Sequence, residues 1–353
     1  MKIHFLEQKQ DFDFEQIRQM QHFEDTKNGK ILRFCSDYLN QTQEFIFYTS
    51  GSTGIPKAIS VNRKQIQASI AATAQFFGLK KGQKALVCLN TDFVAGKMML
   101  LRGLELDLEL FIDSPSANPL ENVFQEMDFA AFVPLQLQGV LEKNSEKINL
   151  LKCLILGGAS VSDALLLQIQ ALQTPIFQTY GMTETLSHIA VRRLNPYEDF
   201  YTILPTVQVR LNEKNCLEIC GQVCNNEWIV TNDLVEIKDG KRLKFLGRAD
   251  NVINSGGLKI QIEDLERQIG QIFEQMGIKK RLAVVGVADS ILGEKIVLVI
   301  ESEKLEEEKI WEKLKNLEKY HCPKLIVYLS VFPQTQTQKI DRKALRRQID
   351  LVI

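Results

Sequence analysis

The chain has 353 residues, 45% of them apolar and 25% charged, with a net charge of −1. That length suits two or three domains, and the balanced charge gives no global case for nucleic acid or an anionic membrane surface as a partner. No apolar run approaches the ~18 residues of a membrane span. The start, Met1-Lys2-Ile3-His4-Phe5-Leu6-Glu7, lacks the basic, apolar and cleavage segments of a signal peptide, so the cytoplasm is the expected location. The 7 cysteines are scattered, which suits reduced thiols. Cys216, Cys220 and Cys224 recur every four residues, but the residues between them read as strand and turn rather than a zinc site.

The first marked element is the apolar run Phe45–Tyr48, which leads into Thr49-Ser50-Gly51-Ser52-Thr53-Gly54-Ile55-Pro56-Lys57. Glycines let backbone N–H groups close on an anion, hydroxyls add donors, and the lysine adds a mobile positive charge. The loop suits a polyphosphate; a flexible turn is the ordinary alternative. It is not a Walker A loop, because Lys57 is followed by Ala58.

From residue 45 to 185, apolar runs alternate with helical patterns. Phe45–Tyr48, Ala85–Asn90, Leu108–Asp113, Phe129–Pro134, Cys153–Leu156 and Ile176–Tyr180 read as buried strands. Ile66, Ile70, Ala74 and Phe77 mark one helix face. Val161–Leu172 reads as another helix, with Ser160 as N-cap and Asp163 near its positive end. Such alternation predicts an α/β domain, a parallel-rich sheet covered by helices. Beyond residue 200, Val207–Leu211, Leu217–Cys220, Glu227–Thr231 and Val235–Lys238 suggest a small β-rich part. From about residue 248 a second, α+β unit is expected. It holds a helix at Ile262–Met276, strands at Arg281–Val287, Lys295–Ile300 and Leu325–Leu329, and an amphipathic helix at Leu305–Lys319. The boundaries are therefore 1–247 and 248–353, the second being the smaller one.

Several further motifs follow in order: Leu156-Gly157-Gly158-Ala159, then Tyr180-Gly181-Met182-Thr183-Glu184-Thr185, then Thr231-Asn232-Asp233. Gly247-Arg248-Ala249-Asp250 and Asn254-Ser255-Gly256-Gly257-Leu258-Lys259 come next, and Gln338-Lys339-Ile340-Asp341-Arg342 lies near the end. With the hydroxyl-rich loop, this set resembles the adenylate-forming superfamily of acyl- and aryl-CoA synthetases, luciferases and peptide-synthetase adenylation domains. The resemblance runs from about residue 45 to the end.

It implies ATP, Mg²⁺ and coenzyme A as cofactors. A carboxylate attacks the α-phosphate of ATP, giving acyl-adenylate and pyrophosphate, and a thiol then displaces AMP. On this resemblance, Thr49, Ser50, Gly51, Ser52, Thr53, Gly54 and Lys57 hold the β- and γ-phosphates. Gly157, Gly158, Ala159 and Tyr180 bracket the adenine, within a nucleotide site that includes Gly181 and Met182. Thr183 bonds the α-phosphate or the carboxylate, and Glu184 ligates Mg²⁺. Asp233 accepts from the ribose hydroxyls and Arg248 reinforces it. Lys339 bridges the attacking carboxylate and the α-phosphate, offsetting their repulsion. By itself it would read as one more solvated lysine beside Arg342, Lys343, Arg346 and Arg347. Asp250 is the hinge, with a plain turn as the alternative, and Gly256, Gly257 and Lys259 serve the thioester step.

Members of the family usually carry a longer segment before the phosphate loop, so an N-terminal subdomain is expected to be largely absent. The usual histidine-bearing aromatic motif is replaced by Asn90-Thr91-Asp92-Phe93-Val94-Ala95-Gly96-Lys97-Met98-Met99. The compact chain and these motifs look most like the short bacterial o-succinylbenzoate–CoA ligases of menaquinone synthesis. That substrate has a second carboxylate, which needs a cation or donor when desolvated. Lys97, His188 and Arg192 are the polar candidates; a solvated helix turn, a structural histidine and a surface arginine are their ordinary readings. Phe93, Met98 and Met99 suit an aryl ring or simple core packing. Another acyl- or aryl-CoA ligase, an enzyme loading a carrier protein, and a non-catalytic nucleotide-binding regulator are the rivals. The expected partners are small molecules: the carboxylic acid, ATP and CoA. Neither nucleic acid nor integral membrane contact is expected.

Overall fold

Strand–helix alternation in the first half of the chain builds the centre of a 13-stranded mixed sheet in the computed structural model, which describes residues 1–48, 58–335 and 340–353. In spatial order, Lys2–Phe5, Glu109–Ile112, Lys84–Val87, Phe129–Phe132, Leu154–Leu156 and Ile176–Met182 run parallel. Gln10–Asp13 adds an antiparallel edge beside Lys2–Phe5. Beyond Ile176–Met182 the sheet continues antiparallel through Ser187–Arg193, Tyr201–Ile203, Arg242–Arg248, Ile229–Lys238, Cys216–Gly221 and Val207–Leu211. Helices cover the parallel part, as burial on both faces requires. Arg63–Phe77 and Val94–Glu105 bury Ile66, Ile70, Met98, Leu101 and Leu104 in one core. Pro134–Lys143 and Asp163–Gln170 bury Leu137, Val140, Leu165 and Ile169 in another.

The structure corrects several sequence expectations. The run at Phe45–Tyr48 is not a strand of the large sheet. Glu44–Tyr48 pairs antiparallel with Ala58–Asn62 in a separate two-stranded ribbon. Its burial alternates, Phe45 and Phe47 inside and Ile46 and Tyr48 outside, which is the mark of a sheet covered on one face. The Asp163–Gln170 helix is capped by Ser162 rather than Ser160; the Ser162 hydroxyl accepts from the Leu165 N–H at 3.2 Å. The two strands expected at Glu227–Thr231 and Val235–Lys238 are one strand, Ile229–Lys238, because polar Asn232 and Asp233 sit in the ladder with a register shift just after them.

The last 100 or so residues form a second, five-stranded sheet from Val252–Ser255, Leu258–Gln261, Leu282–Asp289, Gly293–Glu301 and Leu325–Leu329. Period-2 alternation serves both faces. Val284, Ile296, Leu298 and Ile300 pack with helices Ile262–Gln275 and Glu307–Leu314. Val285, Val287, Val297 and Val299 pack with Leu345 and Ile349 of helix Arg342–Val352. That final helix was hidden in the sequence by its basic outer face. Among the described residues no helix is long and apolar enough to cross a membrane.

Candidate active site

The strand order reverses between Lys84–Val87 and Phe129–Phe132, and open α/β sheets place ligands beyond the carboxyl ends of strands at such a point. One strand further on, past Phe129–Phe132, the chain emerging from Leu154–Leu156 is Gly157-Gly158-Ala159. Gly157 N–H donates to the Phe132 carbonyl at 3.0 Å, which ties the segment to the neighbouring strand. A Cβ on Gly157 would meet Thr179 Oγ1 at 2.9 Å, and Gly158 adopts φ +81°, a left-handed conformation that favours glycine. Gly158 and Ala159 are exposed.

Tyr180 lies on the adjacent strand Ile176–Met182, flanked by Tyr201 and Phe245 at ring distances of 6.1 and 6.2 Å. Its hydroxyl donates to Asp233 Oδ2 at 2.6 Å. Asp233 is buried, and Arg248, its cross-strand partner, donates from Nη1 to Oδ1 at 3.2 Å. Burial pushes the Asp233 carboxyl above the usual carboxylate range, while the Tyr180 hydroxyl and Arg248 pull it back. Burial and the facing Asp233 also push the Tyr180 hydroxyl up. Arg248 reaches the other way to Asp250, with Nε–Oδ1 and Nη2–Oδ2 at 2.9 and 3.0 Å, and this bidentate hold keeps the Asp250 carboxyl below its ordinary range. Four expected site residues, Tyr180, Asp233, Arg248 and Asp250, thus form one connected cluster.

Gly181 faces the turn that follows: a Cβ there would sit 2.0 Å from the Ser187 carbonyl oxygen, so only glycine fits without a shift. Met182 leads into a single turn, Thr183–Thr185, closed by the buried Thr185 hydroxyl. That hydroxyl accepts from Met182 N–H at 3.1 Å and donates to the Ser187 carbonyl at 2.9 Å. The turn presents Glu184 to solvent. One exposed carboxylate fits a hard cation held mainly by phosphate and water. Among the described residues no group of three or more His, Cys, Asp or Glu side chains could hold a metal by itself.

In the second sheet, Gly256 and Gly257 form the tip of the hairpin between Val252–Ser255 and Leu258–Gln261, with φ +60° and +84°. Both positive angles are what a two-residue hairpin turn asks for. Lys259 is exposed on the second strand, opposite Asn254. The expected phosphate-loop residues Thr49, Ser50, Gly51, Ser52, Thr53, Gly54 and Lys57, and the expected catalytic Lys339, lie outside the described residues.

The three polar acid-binding candidates are all engaged in packing. His188 is a core imidazole, its ring nitrogens 3.2 Å from Thr73 Oγ1 and Ser187 Oγ. Burial and the nearby Arg102 charge hold its pKa well below 6.5, so it stays neutral. Arg192 donates to Gln178 Oε1 at 3.0 and 2.7 Å and lies between the rings of Tyr197 and Tyr201. Lys97 donates to the Ile46 carbonyl at 3.2 Å and sits over Phe34 and Phe47. Phe93 is half-buried at the start of helix Val94–Glu105, and Met98 and Met99 are core residues.

Arg102 was missed. It is 2% exposed, the largest fully buried side chain among the described residues. Nη2 donates to Ser187 Oγ at 3.1 Å, Nη1 faces Met99 Sδ, and Nε has no partner. No carboxylate pairs with it among the described residues, and burial pushes its pKa down to about 10. An arginine inside the apolar run Met98-Met99-Leu100-Leu101-Arg102 was the available signal.

The family model for AMP-binding enzymes matches residues 16–240. The chain belongs to the AMP-binding enzyme family. It is accordingly an AMP-forming acyl-CoA ligase. An acyl-CoA synthetase (AMP-forming)/AMP-acid ligase II-like protein of Dyadobacter fermentans is 40% identical and superposes with a TM-score of 0.65, covering 96% of this chain and 98% of that one. The 2-succinylbenzoate–CoA ligase of Bacillus mycoides is 25% identical over 377 residues, 97% of this chain and 78% of the relative. The O-succinylbenzoate coenzyme A synthetase of Bacillus subtilis, solved with ATP and magnesium, has a TM-score of 0.70 at 20% identity, covering 86% of this chain and 69% of that one, a likeness of fold.

Proposed function

We propose that this AMP-binding family enzyme joins o-succinylbenzoate, an aromatic acid with two carboxylates, to coenzyme A in menaquinone synthesis, using ATP in the cytoplasm. The observation that carries the nucleotide part is the buried Asp233 held between Tyr180 and Arg248. Each Asp233 oxygen has one donor and capacity for another, which suits the vicinal hydroxyls of a ribose. The exposed Gly158–Ala159 backbone and the Tyr180 ring suit the adenine.

The division of labour follows from charge. Residues 49–57 hold the leaving β- and γ-phosphates, and Glu184 is the magnesium ligand. A bound magnesium ion would supply neutralisation of phosphate charge. Thr183 orients the reacting carboxylate or the α-phosphate. Lys339 offsets the repulsion between the attacking carboxylate and the triphosphate. Residues 1–247 and 248–353 act as two domains around Asp250. The second presents Lys339 for adenylate formation, then turns to present Gly256, Gly257 and Lys259 for attack by the thiol.

Arg102 favours an acid with a second carboxylate. A fully buried guanidinium with a free Nε and no carboxylate partner among the described residues is costly, and a second carboxylate on the acid would supply the missing anion. The succinylbenzoate ligases among the relatives support the same choice. ATP–pyrophosphate exchange with o-succinylbenzoate, benzoate, coumarate and fatty acids tests the reading. Exchange with o-succinylbenzoate alone is expected. Exchange only with another acid overturns the substrate.

A further inference from the structure

Helix Asp163–Gln170 starts four residues beyond Ala159, on the edge of the proposed adenine site. The carboxylate of Asp163, its first residue, accepts a hydrogen bond from Gln271 Nε2 at 2.5 Å, across 108 residues of sequence. Gln271 belongs to helix Ile262–Gln275, whose Leu265, Ile269 and Phe273 are buried in the second sheet's core. The bond therefore runs from a rigid element of one lobe to a rigid element of the other, apart from the Arg248–Asp250 clasp at the connection.

The same helix also carries the segment that follows Lys339. Its Glu266 grips Arg342 with two bonds, at 2.9 and 2.6 Å, and so fixes the chain just past Lys339 against the helix. Its Glu263 accepts from Asn251 at 2.7 Å and acts electrostatically on Arg248 and Asp233 as well as on Arg342. Glu263 thus lies within the electrostatic reach of both the ribose clamp and Arg342. On the two-step reading above, adenylate formation needs the segment after Lys339 close to the ribose clamp.

We propose that Asp163 and Gln271 form an interdomain latch that favours the adenylate-forming arrangement and must open before the thiol step. The proposal rests on the two-step ligase reading above. A rotation about Asp250 carries Gln271 away from Asp163, so the bond contributes to one arrangement only and biases the populations of the two. Neither residue touches the reacting atoms; both are positioning residues.

Gln271→Glu sets two carboxylates against each other, Gln271→Ala removes the donor, and Gln271→Lys restores attraction to Asp163. In the full chain, Gln271→Glu should lower ATP–pyrophosphate exchange about tenfold, in line with losing a bond to a charged acceptor. Conversion of supplied acyl-adenylate to thioester should stay at or above the wild-type rate. Gln271→Ala should lie between, Gln271→Lys near wild type, and urea midpoints should not move. Half-reactions that stay in the wild-type ratio, whether unchanged or falling together, overturn the latch while leaving the ligase reading intact. Absence of exchange in the wild-type chain with every acid overturns the ligase reading and the latch with it.

Discussion

Tyr180 and Asp233 are joined by a 2.6 Å hydrogen bond that crosses from the end of a parallel-sheet strand to the antiparallel half of the same sheet. Without that bond Asp233 would be a buried carboxylate answered, among the described residues, only by the half-exposed Arg248. Tyr180→Phe should therefore raise KM for ATP about tenfold with a smaller change in kcat, as expected for losing one bond to a charged acceptor. Asp233→Asn should cost more, because it removes the proposed ribose acceptor itself. Steady-state kinetics with ATP varied at saturating acid checks both. An unchanged KM in both variants would separate this pair from the nucleotide.

Arg102→Met replaces a buried, incompletely bonded cation by an apolar chain of similar length. Removing a buried cation that lacks a full set of partners relieves its desolvation penalty. The urea midpoint should hold or rise, whereas exchange driven by o-succinylbenzoate should fall about a hundredfold, the range seen when one partner of a buried charge pair is removed. Any monocarboxylic acid that the enzyme accepts should be spared. A large loss of stability with equal loss for both acids would make Arg102 a structural residue.

His188 links stability to pH. Its folded pKa lies well below the unfolded value of 6.5, so below pH 6.5 the unfolded chain takes up a proton that the folded chain does not. Stability is complete above that pH and falls on acidification by up to about 1.4 kcal/mol per pH unit, until the folded pKa is reached. Between pH 7.5 and 5.5 the wild type should lose about 1 kcal/mol more than His188→Asn. Urea titrations at the two pH values measure the difference, and identical pH dependence in both proteins would contradict the assignment.

Much of this architecture is legible in the residues because local pattern and tertiary role agree. The Ile66 and Ile70 spacing gives a helix, and Leu325–Leu329 gives a strand with the observed bounds. Where the pattern misleads, a tertiary fact decides. Phe45–Tyr48 is apolar enough for a central strand, yet its partner is the neighbouring segment Ala58–Asn62. Lys2–Phe5 is too short and too polar at His4 to stand out, yet pairing with Glu109–Ile112 makes it part of the parallel sheet. Tyr180, Asp233, Arg248 and Asp250 are singled out by motifs that resemble a family, and the structure brings their side chains together across long stretches of sequence. Arg102 stands out in the sequence only as an arginine in an apolar run, since its isolation depends on what the surrounding elements fail to supply.

The most direct measurement separates the two half-reactions in Lys339→Ala. The wild-type chain should exchange pyrophosphate with ATP in the presence of o-succinylbenzoate. The variant should lose that exchange by several orders of magnitude, yet still pass a supplied acyl-adenylate to coenzyme A near the wild-type rate. Equal loss of both steps, or a variant that exchanges as well as the wild type, would contradict the account of two lobes serving one nucleotide in turn.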